Sequence, residues 1–381
     1  MDGLKSPQGI VLSQYDPFSL KHKGSLPMPE MSPRPALLHM MTRRRGLAVA
    51  SLVAATVLAS CTTPEPEAPP PPAPTAPPPP IALNQSVAEA ASIYVAFVRD
   101  LNTIKAGGFQ SAEEIQAEMR KGAAYDAAQM SRGMIAYGAI LALQSPQYVQ
   151  GVRQFAADPA QRQEMIRRIV ADPAYAATLP GADSAVGLMV NTLIRDIDAL
   201  TMIADGVEAD AYTIQGRNDP RRRWATQQIA DRNGRLQAAK DLSVPRMPSA
   251  EESARLLAAA HSGTGLVSEQ AMRGAPYTPA VVNSLAIAAL AALGAAGEEA
   301  RANTDALSTE SNNEFCLNMS KLMLYQCLAA SKPNYEDIFC TGRHIVRDLA
   351  QCTSQFAGPR PTSVPAVTVV SEPNSPAQPT G

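Results

Sequence analysis

Aromatic side chains are scarce in this chain of 381 residues, which holds seven Phe, ten Tyr and one Trp. That scarcity works against a strand-rich fold, which draws on aromatic and β-branched residues, and against a groove that grips sugars between aromatic faces. An excess of one charge is missing too: the formal net charge is -2, so no basic footprint marks a nucleic-acid partner. Closely spaced metal-ligand pairs are also absent. Cys316, Cys327, Cys340 and Cys352 are separated by ten, twelve and eleven residues, unlike the C-x-x-C spacing of a zinc site, even with His344 and Asp348 added as ligands. Gly263-Thr264-Gly265 lacks the third glycine and the preceding strand of a dinucleotide-binding turn. No Asn-Gly or Asp-Gly turn separates alternating apolar runs. No metal and no cofactor are expected.

The rest of the chain is rich in helix signals. Residues 81–356 contain only ten prolines, nearly all where a helix would start or a turn would form, and Ala, Leu, Met and Gln abound. Ser86 with Glu89, Ser111 with Glu114 and Ser249 with Glu252 have the spacing of capping boxes. Ser145-Pro146, Asp158-Pro159, Asp172-Pro173, Asp219-Pro220 and Thr278-Pro279 place a cap before a proline at the first helical position. From Asp183 to Ala211, Val186, Met189, Val190, Leu193, Ile197, Leu200 and Ala204 form a core-facing stripe. Pro279–Arg301 reads as a buried central helix, its apolar run under the length a membrane span needs. The expectation is an all-α domain over 81–356, a bundle or array of about eight to ten helices.

The last four cysteines predict how that domain ends. If 313–330 and 337–355 are helices, Cys316 and Cys327 lie about 16 Å apart on one axis and Cys340 and Cys352 about 18 Å apart on the other. A disulfide needs its α-carbons within about 7 Å, so neither pair can close within its own helix. In an antiparallel hairpin turned at Ser331-Lys332-Pro333-Asn334, paired residues have a nearly constant sum of numbers. The pairs Cys327–Cys340 and Cys316–Cys352 differ by one in that sum. The nested pairing predicts a stapled antiparallel hairpin. One detail resists: twelve residues turn Cys352 about 120° away from Cys340, whereas Cys316 and Cys327 nearly align, so a bend or frayed turn must absorb the difference.

Outside this body lie segments of different character. Arg43-Arg44-Arg45 precedes an apolar run from Gly46 to Ala59, about fourteen residues and too short to span a bilayer. Leu58-Ala59-Ser60-Cys61 follows, with small residues before the cysteine. These residues resemble the export signal of bacterial lipoprotein precursors, whose four-residue lipobox ends in a cysteine that takes diacylglycerol and becomes the new N-terminus. The resemblance covers residues 40 to 61. It implies a signal peptide over 40–60, lipidation of Cys61, and a start at Met40 or Met41 that leaves 1–39 as a mis-assigned or disordered upstream extension. Thr42-Arg43-Arg44-Arg45-Gly46-Leu47 only brushes the twin-arginine pattern, so the general secretory route is favoured. Thr62 is not the aspartate that retains many such lipoproteins in the inner membrane. The resemblance therefore implies outer-membrane anchoring facing the periplasm, with the inner membrane and the cell surface as alternatives. From Pro64 to Pro80 eleven of seventeen residues are proline, so 61–80 reads as a polyproline II strut. Residues 357–381, with six prolines and no apolar periodicity, are expected to be a disordered tail.

Candidate functional residues are few. Arg221, Trp224, Arg232 and Arg235, wound as one helix, make a basic stripe that could contact anionic lipid or cell-wall polymer. His344 and Asp348 share a helix face, which reads as an exposed ion pair with Asp337 capping the helix. Glu252-Ser253 followed by Gly265-Leu266 faintly resembles the lytic transglycosylase signature, with the spacing two residues short and Arg255 and Leu256 where the family has an aromatic. Met130, Met134 and Met189 read as core packing or as the lining of a small-ligand cavity. No catalytic residue is named. The leading expectation is a non-enzymatic lipid-anchored envelope protein that contacts another envelope protein or the cell wall. A peptidoglycan-modifying enzyme and a small-ligand-binding lipoprotein are the alternatives.

Overall fold

The computed structural model describes residues 77–216, 220–266 and 272–359, all within one compact unit. The signal-like run, Cys61, most of the proline tract and the tail beyond Pro359 lie outside them.

Helix starts follow the side-chain caps closely. In α1 (Gln85–Leu101) the cap is Asn84, which accepts from the Val87 N–H; Ser86, the cap expected from its spacing to Glu89, donates its hydroxyl to Asn84 instead. Ser111, Asp126, Ser145 and Asp158 cap α2 (Ala112–Ala123), α3 (Ala127–Ala142), α4 (Pro146–Arg153) and α5 (Pro159–Ala171). Asp172 caps a 3-10 segment, Pro173–Thr178, and the long α6 (Ala182–Gly216) carries the predicted stripe. After a 3-10 turn at Pro220–Arg222 come α7 (Arg223–Thr226), α8 (Arg232–Asp241) capped by Asp231, and α9 (Ala250–Ser262) capped by Ser249. Thr278 caps α10 (Pro279–Ala292); a 3-10 turn and α11 (Arg301–Leu307) follow. Last come α12 (Ser311–Ala330), α13 (Asn334–Thr341), a π-helical segment Gly342–Arg347 and α14 (Asp348–Ala357).

The all-α expectation holds for the described residues, which contain no strand and two isolated bridges. Among the described residues, fourteen α-helices replace the expected eight to ten. Pro279–Arg301 is broken where Gly294 takes a left-handed backbone (φ 70°), the stretch around Trp224 is split by extended residues, and the last arm is divided by its π turn.

The centre is formed by α3 and α10. α10 is buried from Ser284 through Leu293, and α3 packs against α1, α6, α9, α10 and α12. Two glycines of α3 permit this crowding. A β-carbon on Gly133 would stand 2.7 Å from the Ala90 carbonyl oxygen of α1, and one on Gly138 would stand 2.6 Å from the Ser284 hydroxyl of α10. No helix among the described residues is long and apolar enough to cross a membrane. On one flank, α6 runs beside the α13–π–α14 arm.

Candidate interaction surface

Two disulfides close the C-terminal hairpin. Cys327 is bonded to Cys340 and Cys316 to Cys352, with α-carbons 5.8 and 5.7 Å apart. The π turn between Cys340 and Cys352 supplies what a plain helix could not. A π turn holds one residue more than an α turn, so the twelve steps from Cys340 to Cys352 rotate the chain like eleven α steps, about 20° net. Eleven steps also separate Cys316 from Cys327, so both arms present their sulfurs in the same register. A widened turn takes carbonyls off the regular ladder, and Ser320 of α12 donates to one of them, His344 O, at 3.2 Å. Arg347 ties the same turn to α6 through Asp205 and Glu208, at 2.6 Å each.

The basic segment before this hairpin holds it from behind. It is no single helix: the chain turns extended at Gln227, Gln228 forms an isolated bridge with Pro333, the Ile229 N–H donates to Lys332 O, and the Asn334 N–H donates to Gln227 O. The four residues expected on one exposed basic face are therefore not brought together. Arg235 is buried, ion-paired with the fully buried Asp337 and hydrogen-bonded to Leu328 O. Arg232 donates to Ala329 O, Ala330 O and Ser331 O, closing the carbonyl end of α12. Trp224 is half-buried against the core and its carbonyl accepts from Asn334, while Arg221 is exposed. The arginines act on helix ends and on a buried carboxylate.

Asp337 consequently does not cap α13, whose N-cap position is Pro333. Burial pushes its carboxyl up from the usual range, against the opposing pull of Arg235.

The exposed face of α12 is uncharged and largely apolar. The charged residues of α12 are Glu314, in its first turn, and Lys321, which is buried. Between its two ends the exposed residues are Phe315, Asn318, Met319, Leu322, Met323 and Gln326, with Phe315 66% exposed. At the turn end, α6, α12 and α13 enclose a groove of about 370 Å³. Tyr212, Tyr335 and Phe339 line it; Tyr212 is 57% exposed and meets Phe339 edge-on at 5.8 Å. Gln215, Ser331 and Glu336 provide its polar atoms.

The other candidates resolve individually. His344 Nδ1 lies 3.2 Å from Asp348 Oδ2, and the pair is partly buried, not exposed. All four sulfurs of the rival zinc set are in disulfides. Glu252 is buried with Arg99 at 2.9 Å and Arg255 in contact. Burial alone would raise its carboxyl, but the hydrogen bonds from Arg255 and Arg99 outweigh that and hold it below the usual range. A glutamate so held is a poor proton donor. Met130, Met134 and Met189 are fully buried in the core and line none of the grooves described above.

Sequence reasoning missed a buried polar knot. Lys321 Nζ donates to Ala123 O at 3.0 Å and to the Ser243 hydroxyl at 2.7 Å, and lies 3.8 Å from the centre of the Tyr125 ring. The two hydrogen bonds tie the ends of α2 and α8 to α12, and the Tyr125 ring covers the ammonium from a third side. Burial pushes its amine down to about 7, with Asp126 pulling the other way. The signal was available: Lys321 stands in the stripe Leu317, Lys321, Leu324, Leu328 at core spacing. Asp196 on α6 was also missed, and burial raises it to about 6 against Arg195.

No protein-family model matches this chain, and neither a curated protein nor a solved structure does.

Proposed function

We propose that this is a lipid-anchored cell-envelope protein with a non-enzymatic interaction role, tethered through Cys61 and extended on the 61–80 strut into the periplasm from the outer membrane. The observation that carries this reading is the partition of the five cysteines. Four are joined in two disulfides, as an oxidising compartment favours; the fifth stands alone at the end of the export-signal pattern. The interaction role rests on the uncharged face of α12. An exposed apolar patch of this kind is characteristic of docking surfaces, and the twice-stapled hairpin holds it rigid, which lowers the ordering cost of association. The partner in this reading is another envelope protein.

The Glu252 geometry gives the transglycosylase-like alternative no support, since that chemistry needs a protonated glutamate facing a cleft. Radiolabelled palmitate tests the anchor: it enters the wild-type chain and fails to enter Cys61→Ser. Absence of label from the wild type, or persistence of residues 1–60 in cells, defeats the proposal. A photo-crosslinker at Met319 in intact envelopes tests the contact. Protein adducts that disappear in Phe315→Asp/Leu322→Asp support it, whereas cell-wall fragments with no protein partner refute it.

A further inference from the structure

The geometry points to an internal ligand for the groove at the turn end of the hairpin: it receives the chain's own segment Pro373-Asn374-Ser375-Pro376-Ala377-Gln378-Pro379, docked as a polyproline II strand. This goes beyond the anchoring and partner contact argued above and depends on neither.

Three observations converge on it. The groove is lined by Tyr212, Tyr335 and Phe339 in a chain that has few aromatics to place, and Tyr212 is left largely in solvent at its mouth. Aromatic-lined grooves are the recurring receptors of proline-rich strands. The tail then carries three prolines at three-residue spacing. A polyproline II strand has three residues per turn, so Pro373, Pro376 and Pro379 fall on one edge, about 9 Å apart. Such a strand makes no internal hydrogen bonds, leaving its carbonyls to accept from donors such as the Gln215 amide and the Tyr212 hydroxyl.

Reach is the third observation. The tail leaves the body at Pro359, whose carbonyl accepts from Arg273, beside the end of α14. The groove lies at the start of α13, roughly 35 Å back along the arm. Pro373 lies fourteen residue steps beyond Pro359, and in extended form these span about 43 Å. The segment can therefore fold back and lie across the groove. A tether of that length holds it at an effective concentration of about millimolar, enough to populate a weak contact.

The N-terminal tract also has prolines at this period, at 71, 74, 77 and 80. Its described end is engaged elsewhere: Pro78 O accepts from Arg153 at 3.4 Å and Pro79 packs beside Gly294 at the far end of α10.

The test uses the full chain with p-benzoylphenylalanine in place of Gln378, irradiated and mapped by mass spectrometry, with light and heavy isotopic chains mixed. The expected adducts are intrachain and fall on peptides bearing Tyr212, Tyr335 or Phe339. Their yield drops several-fold in Pro373→Ala/Pro376→Ala/Pro379→Ala, which leaves the helical body untouched, and in Tyr212→Ala, which removes an exposed ring. Absent or scattered adducts, adducts on the Phe315–Met323 face, or a yield indifferent to the three prolines overturn the proposal. Light–heavy adducts overturn its intrachain form in favour of a second copy. Capture of the groove by a probe placed within Pro64–Pro80 overturns the choice of segment.

Discussion

Removing the Asp337 carboxylate from its buried pair with Arg235 is the sharpest test of how the hairpin is held. Asp337 is fully buried and the Arg235 side chain is 3% exposed, so neither charge has water to fall back on. Asp337→Ala leaves the guanidinium with Leu328 O as its one remaining partner among those described, inside a low-dielectric contact between α8 and the hairpin. Breaking one side of such a pair costs about 3–5 kcal/mol. Replacing both partners by apolar residues of similar volume, Arg235→Met/Asp337→Leu, removes the orphan charge together with its partner and is expected to fall within about 1–2 kcal/mol of wild type. Urea denaturation followed by far-ultraviolet circular dichroism measures both, with thiol titration confirming that the disulfides stay closed. A single variant that loses less than about 1 kcal/mol, or a double variant as unstable as the single, refutes the argument that an unpaired buried charge dominates here.

The two staples predict a ranking. With sequence separations of 13 and 36, loop-closure entropy gives about 3 kcal/mol for Cys327–Cys340 and about 4 kcal/mol for Cys316–Cys352; paired Cys→Ala variants under urea should lose stability in that order, and the reverse order counts against the entropic account. Lys321 predicts a pH slope. Its amine is lowered to about 7 from an ordinary 10.5, so the unfolded chain binds more protons between those values and stability rises with pH from about 7 towards 10. Lys321→Met should flatten that rise, and an unchanged slope in the variant would show that other groups produce it. Gly133→Ala drives a methyl group against the Ala90 carbonyl oxygen and should cost about 1–3 kcal/mol by thermal or urea unfolding, where an exposed helical Gly→Ala would stabilise. A neutral result would mean that α1 and α3 separate easily.

Much of the helical layout was legible because its signals are local. A cap, a proline at the first turn or an apolar stripe acts over one to three turns, so Ser111, Ser145, Asp158, Ser249 and Thr278 mark real starts. Ser86 misled by two residues, since Asn84 competes for the same orphan N–H groups and wins. The nested disulfides followed from the axial separations within each predicted helix together with the antiparallel register. Their conflicting azimuths could be noticed in the sequence, but not resolved, because a π turn differs from an α turn by one residue and leaves no distinctive composition.

Charged residues were read least well. A helical wheel treats Arg221, Trp224, Arg232 and Arg235 as a surface stripe, since charges normally stay in water. The fold spends Arg235 on a carboxylate a hundred residues away and Arg232 on the last carbonyls of α12. Lys321 was overlooked for the same reason, and the aromatic groove exists only where α6, α12 and α13 meet. The amino-acid order by itself determined where helices begin, which class of fold they build and which sulfurs can meet, since each depends on neighbours along the chain. Tertiary structure alone decided which charges lost their water and which apolar face kept it, since burial is set by contacts between segments remote in sequence.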